Sequence, residues 1–171
     1  MSTKAKPIGV SHENVLELFH YDPETGVFTR RVTRRGGGIA GSVAGSPHGA
    51  GYLRISIDRR DYLCHRLAWF YMTGEDVPEG YEIDHKNLHR ADNRWDNIRL
   101  ATPSQNKCNA IRKGRLLPKG VSLHAATGRY FAQISIKGKP IFLGRFDSPF
   151  DAAKAYVFAA NDIHGQFARV A

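Results

Sequence analysis

The feature that most constrains the fold is the run Y-E-I-D-H-K-N-L-H-R-A-D-N-R-W-D-N-I-R-L-A-T-P-S-Q-N-K-C-N, residues 81–109. Residues 81–84 read as a short strand, residues 86–94 as a polar loop and residues 98–100 as a second strand. Thr102-Pro103-Ser104-Gln105 then opens a helix. Thr followed three residues later by Gln is a capping box, and Pro suits the first helical position because an N–H there would have no intrahelical partner. On this layout the pair Asp84-His85 ends the first strand, Asn97 follows His85 by twelve residues, and Asn106 comes nine later, on the helix.

Charge narrows the class of partner. The net charge of +9 divides unevenly: residues 1–60 carry nine Lys/Arg against five Asp/Glu, residues 61–114 eight against eight, and residues 115–171 eight against three. Basic flanks around a neutral centre suit a protein that grips a polyanion at its ends and keeps carboxylates in its middle. The 171 residues, 42% of them apolar, suffice for one ordinary domain or two small ones. No run approaches the roughly eighteen apolar residues of a membrane span. The start M-S-T-K-A-K-P lacks the apolar stretch of a signal peptide, so a cytoplasmic location is expected. Cys64 and Cys108 are too few for a disulfide framework, and reduced thiols are expected. A zinc site from Cys64, His65 and Cys108 lacks a second Cys or His pair at metal spacing.

Towards the N-terminus, residues 11–19 read as a helix capped by Ser11, residues 22–26 as a turn and residues 27–29 as a strand. Gly36-Gly37-Gly38 and the glycine-rich stretch to Gly51 read as a flexible connection, without the G-K-[ST] ending of a phosphate-cradling loop. Arg34 and Arg35 are placed along DNA. Residues 52–57 alternate as a strand, residues 58–61 make a tight connection and residues 62–64 return as its partner. A helix follows from His65 to Gly74, with Leu67, Trp69 and Phe70 available to pack.

The Asp-His pair with its two downstream asparagines resembles the HNH nuclease motif, and strand, loop, strand and helix match the order of its ββα-metal fold. The resemblance implies that His85 is the catalytic base and that Asp84 and Asn106 hold a metal ion. It gives Asn97 the role of tying the loop together and orienting His85 without touching metal. The residue types agree with that chemistry. Carboxylate and amide oxygens are hard ligands suited to Mg²⁺ or Mn²⁺ and poorly suited to Zn²⁺, and imidazole accepts a proton near neutral pH. Many HNH nucleases carry His at the second metal position, and a subset resembling phage and intron homing endonucleases carries Asn. Asn109, about one turn later, is the alternative. His89, Asp92 and Asn93 read as turn-makers. His65 reads as a core or supporting histidine, and Arg99 either as aimed at the scissile phosphate or as a solvent-facing strand residue.

Residues 110–119 read as a basic connection, with the linker at 113–118. Beyond it, residues 129–136 alternate, with Tyr130, Ala132, Ile134 and Ile136 on one face. Lys137-Gly138-Lys139 forms a hairpin turn and residues 140–146 a third strand. Ser148-Pro149-Phe150-Asp151 opens a helix that stops near Gly165. This segment, with L-G-R-F-D followed by A-A-K-A-Y, is similar to the DNA-binding domain of plant ethylene-response factors. That resemblance implies a three-stranded sheet in the major groove, with Ser122, His124, Arg129, Gln133, Ser135 and Phe142 facing DNA. Several positions that are arginine in the plant pattern are Ser122, His124, Ser135 and Pro140 here, which reduces bidentate guanine readout.

The expectation is therefore an α+β protein: an N-terminal DNA-contacting region (1–60), an HNH centre (61–112), a linker (113–118) and a DNA-binding sheet packed on one helix (119–171). It is expected to cut double-stranded DNA with Mg²⁺ or Mn²⁺, as a monomer or homodimer. The competing expectation is a non-cleaving DNA-binding regulator that retains the nuclease fold.

Overall fold

The computed structural model describes residues 7–36, 38–109, 116–136 and 138–168. Gly37 of the glycine run, residues 110–115 of the basic connection, Lys137 of the hairpin turn and the Cys108 side chain lie outside that part. The chain mixes helices with several small antiparallel sheets and divides into two compact units, Met1–Ala101 and Thr102–Ala171.

The first unit begins with α1 (His12–Leu18), whose N-cap Ser11 accepts the Asn14 N–H at 3.2 Å. The helix stops one residue earlier than its periodicity implies. Phe19 instead starts β1 (Phe19–Asp22), where its ring packs edge-on against Phe28 at 6.2 Å. Strands β2 (Val27–Arg30) and β3 (Val43–Ala44) complete a sheet in the order β1-β2-β3. A second sheet is formed by β4 (Ser46–His48), β5 (Tyr52–Ile57) and β6 (Arg60–Leu63), with a 3₁₀ turn at Gly49–Gly51.

The stretch expected to be a flexible connection is thus largely built into structure. Val43 and Ala44 pair with Thr29 and Phe28, and Ser46 to His48 pair with β5. Glycine content alone does not prevent pairing when a neighbouring strand presents a free edge. The tight connection after β5 is a two-residue turn in which Asp58 and Arg59 both take positive φ, 49° and 65°. This is the hairpin geometry that matches strand twist.

Helix α2 (Cys64–Thr73) follows and ends on Gly74 in the left-handed conformation, φ 74°. Strands β7 (Glu82–His85) and β8 (Ile98–Ala101) form a two-stranded ribbon. One core unites these pieces: Val15, Tyr21, Phe28, Leu67 and Ala68 are almost wholly buried, and Ile83 and Ile98 bring the ribbon into the same cluster. Trp69 packs against this core and lies tilted on Trp95, 5.4 Å away.

In the second unit, α3 (Pro103–Asn109) starts as its sequence requires. Gln105 accepts the Thr102 N–H at 2.8 Å, and Thr102 accepts the Gln105 N–H at 3.3 Å. Strands β9 (Val121–His124), β10 (Arg129–Ile136) and β11 (Lys139–Phe146) form an antiparallel sheet in the order β11-β10-β9. Helix α4 (Pro149–His164) covers one face of it, and Ser148 caps the helix by accepting the Phe150 and Asp151 N–H groups. Ala132 packs with Val121 and Ala152, and Ile134 with Tyr156 and Ala160, because the small alanines let the helix lie close. Gly120 serves the same approach: a Cβ there would stand 2.0 Å from the Tyr156 ring.

Candidate active site

The β7–β8 ribbon sets the site. Antiparallel pairing places Asp84 opposite Arg99 and His85 opposite Ile98. Asp84 and His85 are both buried, at 3% and 4% exposure. Alternation along a strand sends their side chains to opposite faces. On one face, Arg99 donates to Asp84 Oδ2 through Nε at 2.9 Å and through Nη2 at 2.8 Å. Arg99, offered by the sequence either to the scissile phosphate or to solvent, is itself buried against the carboxylate.

On the other face, His85 Nε2 lies 3.3 Å from Asn93 Oδ1. Asn93 Nδ2 donates to the Ala91 carbonyl at 3.2 Å, which fixes the amide orientation and turns Oδ1 towards the imidazole. Burial pushes the His85 pKa below that of an ordinary histidine, opposed by the Asn93 hydrogen bond and by the charge of Asp84. The ring is therefore neutral at pH 7.

The loop between the strands is held by its own amides. Asn97 Oδ1 accepts the Asn87 N–H at 3.1 Å, and its Nδ2 donates to the Asp92 carbonyl at 2.7 Å. Asp92 takes a two-point contact from Arg94, and the Arg94 hydrogen bonds hold its carboxyl well below the usual carboxylate range. Asn97 thus ties the loop, while Asn93, read in the sequence only as a turn-maker, hydrogen-bonds His85 Nε2. Burial separates the two readings, since a simple turn asparagine is exposed and Asn93 is 1% exposed.

The N-terminal sheet braces the same loop. Tyr21 donates its hydroxyl to the Asn93 carbonyl at 2.6 Å, and the Trp95 N–H reaches the Pro23 carbonyl at 2.9 Å. Gly26, at φ 72°, lies so close that a Cβ would stand 2.4 Å from the Arg94 nitrogen and 2.5 Å from the Asn93 carbonyl carbon. No local sequence pattern announces these contacts.

His65, from the first turn of α2, is buried with its ring edge-on to His85 at 5.1 Å. Burial, with smaller contributions from His85 and Arg66, pushes its pKa down to about 3. Its Nδ1 is buried without a hydrogen-bond partner. Among the described residues, no three His, Cys, Asp or Glu side chains gather as a metal cluster. Burial also pushes the Cys64 thiol up to about 12. A buried carboxylate such as Asp84 fits Mg²⁺, which keeps several waters and needs only one or two protein oxygens.

Asn106 lies on α3 of the second unit, half-buried, with its N–H on the Thr102 carbonyl at 2.9 Å, and Asn109 on the same helix is 4% exposed. Arg34 and Arg35 are exposed in the first unit, where Arg34 pairs with Asp58 at 3.1 Å. With Arg30 and Arg59 they line a cavity of about 490 Å³. Ser122, His124, Arg129, Gln133, Ser135 and Phe142 are all exposed on the sheet face away from α4. Arg129 is clamped to Asp147 through Nε at 2.7 Å, and His124 stacks on Phe131 at 5.0 Å.

Residues 62–108 match the family described as HNH endonuclease. The chain is 26% identical over 114 residues to a protein of Acanthamoeba polyphaga mimivirus named as an HNH endonuclease, covering 67% of this chain and 59% of that one. It is 31% identical over 72 residues to an SPbeta prophage-derived protein of Bacillus subtilis named as an HNH homing endonuclease, covering 40% and 41%. The match therefore spans about half the length of these curated relatives. No solved structure matches. Asp84, His85, Asn93, Asn97 and Arg99 all fall inside residues 62–108, the segment over which this chain matches an HNH endonuclease domain.

Proposed function

We propose that the chain is a metal-dependent HNH endonuclease of the homing type that hydrolyses phosphodiester bonds in double-stranded DNA. The observation that carries the reading is the neutral, buried His85 oriented by Asn93 and next in the chain to the buried Asp84, within the segment matched as HNH endonuclease. Because Asn93 presents an acceptor, the imidazole keeps its proton on Nε2 and carries its lone pair on Nδ1. His85 Nδ1 takes the proton of a water as its oxygen bonds to phosphorus and the bond to the 3′ oxygen breaks. The imidazolium so formed is stabilised by the Asn93 Oδ1 acceptor and by the nearby Asp84 charge. Mg²⁺ or Mn²⁺, when bound, supplies positive charge for the developing negative charge on the leaving oxygen. Asp84 is the anionic ligand, and Asn106 is assigned by the sequence motif alone.

The ethylene-response-factor-like reading of residues 119–171 makes the open sheet face the DNA-gripping surface, with Arg34 and Arg35 as further contacts. That reading is supported by the exposure of all six named side chains and by the +5 charge of residues 115–171. One observation favours the second reading, a non-cleaving DNA-binding regulator: the Arg99 guanidinium already neutralises Asp84.

Incubation with supercoiled plasmid in Mg²⁺ and in EDTA separates the two. Nicking is expected in Mg²⁺ only. His85→Ala is expected to lose about 10²–10⁴ in rate with DNA affinity nearly unchanged. Wild-type turnover by the purified variant would remove His85 from the mechanism.

A further inference from the structure

Arg90 is an exposed arginine in the loop between β7 and β8, yet its guanidinium is fixed by a distant part of the same unit. Its Cζ stands 5.0 Å from the centroid of the Tyr52 ring, and Nη1 donates to the Ala50 carbonyl at 3.0 Å. Tyr52 in turn leans on both buried histidines, 5.1 Å from His65 and 6.0 Å from His85. The Tyr52 ring thus lies between the Arg90 guanidinium and the two buried histidines.

This seat is costly to build. An exposed arginine gives up rotamer entropy when its guanidinium is fixed. Ala50, which supplies the carbonyl, sits at φ 60° and ψ 22°, a left-handed conformation that is strained for an L residue. Neither partner neutralises the charge, since one is a ring face and the other a carbonyl. Arg94 and Arg99 of the same motif differ, each being paired with an aspartate. A charged, pre-oriented fork with donors left after the bond to Ala50 matches the oxygens of a phosphate.

We propose that Arg90, seated on Tyr52 and Ala50, grips a backbone phosphate of the DNA beside the bond that His85 attacks. The position relative to that bond rests on the nuclease reading above, whereas the phosphate contact is a binding property with its own measurement.

The full chain and its Arg90→Gln, Arg90→Lys and Tyr52→Leu variants are compared in two assays: fluorescence anisotropy on a short duplex across a salt series in EDTA, and plasmid nicking in Mg²⁺. Arg90→Gln is expected to make the salt slope shallower by about 0.9, the signature of one phosphate no longer neutralised. Its nicking rate is expected to fall about tenfold or more. Arg90→Lys should restore the slope but not the full rate, because an ammonium lacks the fork. Tyr52→Leu should keep the slope, since the charge remains, and lower the rate, since the seat is gone. Wild-type slope and rate in a folded Arg90→Gln would overturn the proposal. If Arg90→Gln does not fold, wild-type nicking by both other variants would overturn it. If the wild-type chain does not nick, the nuclease reading fails, while an altered slope in Arg90→Gln still supports the phosphate contact and an unaltered one refutes it.

Discussion

In the proposed mechanism His85 is the base, and its readiness comes from burial. A water-exposed histidine is half protonated near pH 6.5, but in the folded chain desolvation disfavours the imidazolium, with Asn93 and Asp84 only partly offsetting it. The active neutral form therefore persists below pH 6.5. The acid limb of kcat/KM against pH is expected to lie below the ordinary histidine value, and a pH–rate profile measures it. An acid limb at or above 6.5 would show that burial does not govern this residue. His65 carries the same logic into stability. Its folded pKa is lowered from 6.5 to about 3, so in that window the unfolded chain binds a proton that the folded chain refuses. Stability is fully present above pH 6.5 and falls as pH drops towards 3, by up to about 1.4 kcal/mol per pH unit from this group. Denaturant midpoints at pH 7 and pH 5 should separate in the wild-type chain, and the gap should narrow in His65→Gln.

Among the elements, the ribbon β7–β8 depends on a hairpin far from it in sequence. The turn between β1 and β2 presses on the backbone of Asn93 and Arg94 because Gly26 has no Cβ, and Tyr21 closes the contact through its hydroxyl. Gly26→Ala meets two penalties: a left-handed φ that costs about 1–2 kcal/mol, and a methyl group driven into backbone that cannot swing away. The variant is expected to melt several degrees lower. Because the loop carries Asn93, its nicking rate should fall more than its DNA affinity. Thermal melting with parallel rate and binding assays checks both, and wild-type values in all three would show that this brace does not hold the site.

For the whole molecule, two compact units carry different chemistry. The first holds the buried Asp84 and His85, and the second offers an exposed sheet face with charge +5 over residues 115–171. Deleting residues 115–171 is expected to weaken DNA binding and to make the salt slope shallower by roughly 0.9 for each phosphate that the truncated chain no longer neutralises. Residual metal-dependent nicking should persist at high protein concentration. A folded truncation with unchanged affinity and slope would show that the second unit is not a DNA-binding module.

The strands and helices were largely legible in the sequence because each is specified locally: period-two alternation over residues 129–136, the Thr102 and Gln105 capping box, Ser148 before Pro149, and Gly74 ending α2. The adjacency of Asp84 and His85 was legible for the same reason. What lies between distant residues was not. The pairing of Arg99 with Asp84 needs the β7–β8 register, and the hold of Asn93 on His85 needs a loop closed by Asn97. The short strands within the glycine-rich stretch need β2 and β5 beside them, and the seat of Arg90 needs the strained turn at Ala50. A local pattern records the cost of a backbone conformation at one place in the chain. Burial, charge pairing and the pKa of His85 depend on which distant groups share its surroundings, and only the tertiary structure decides that.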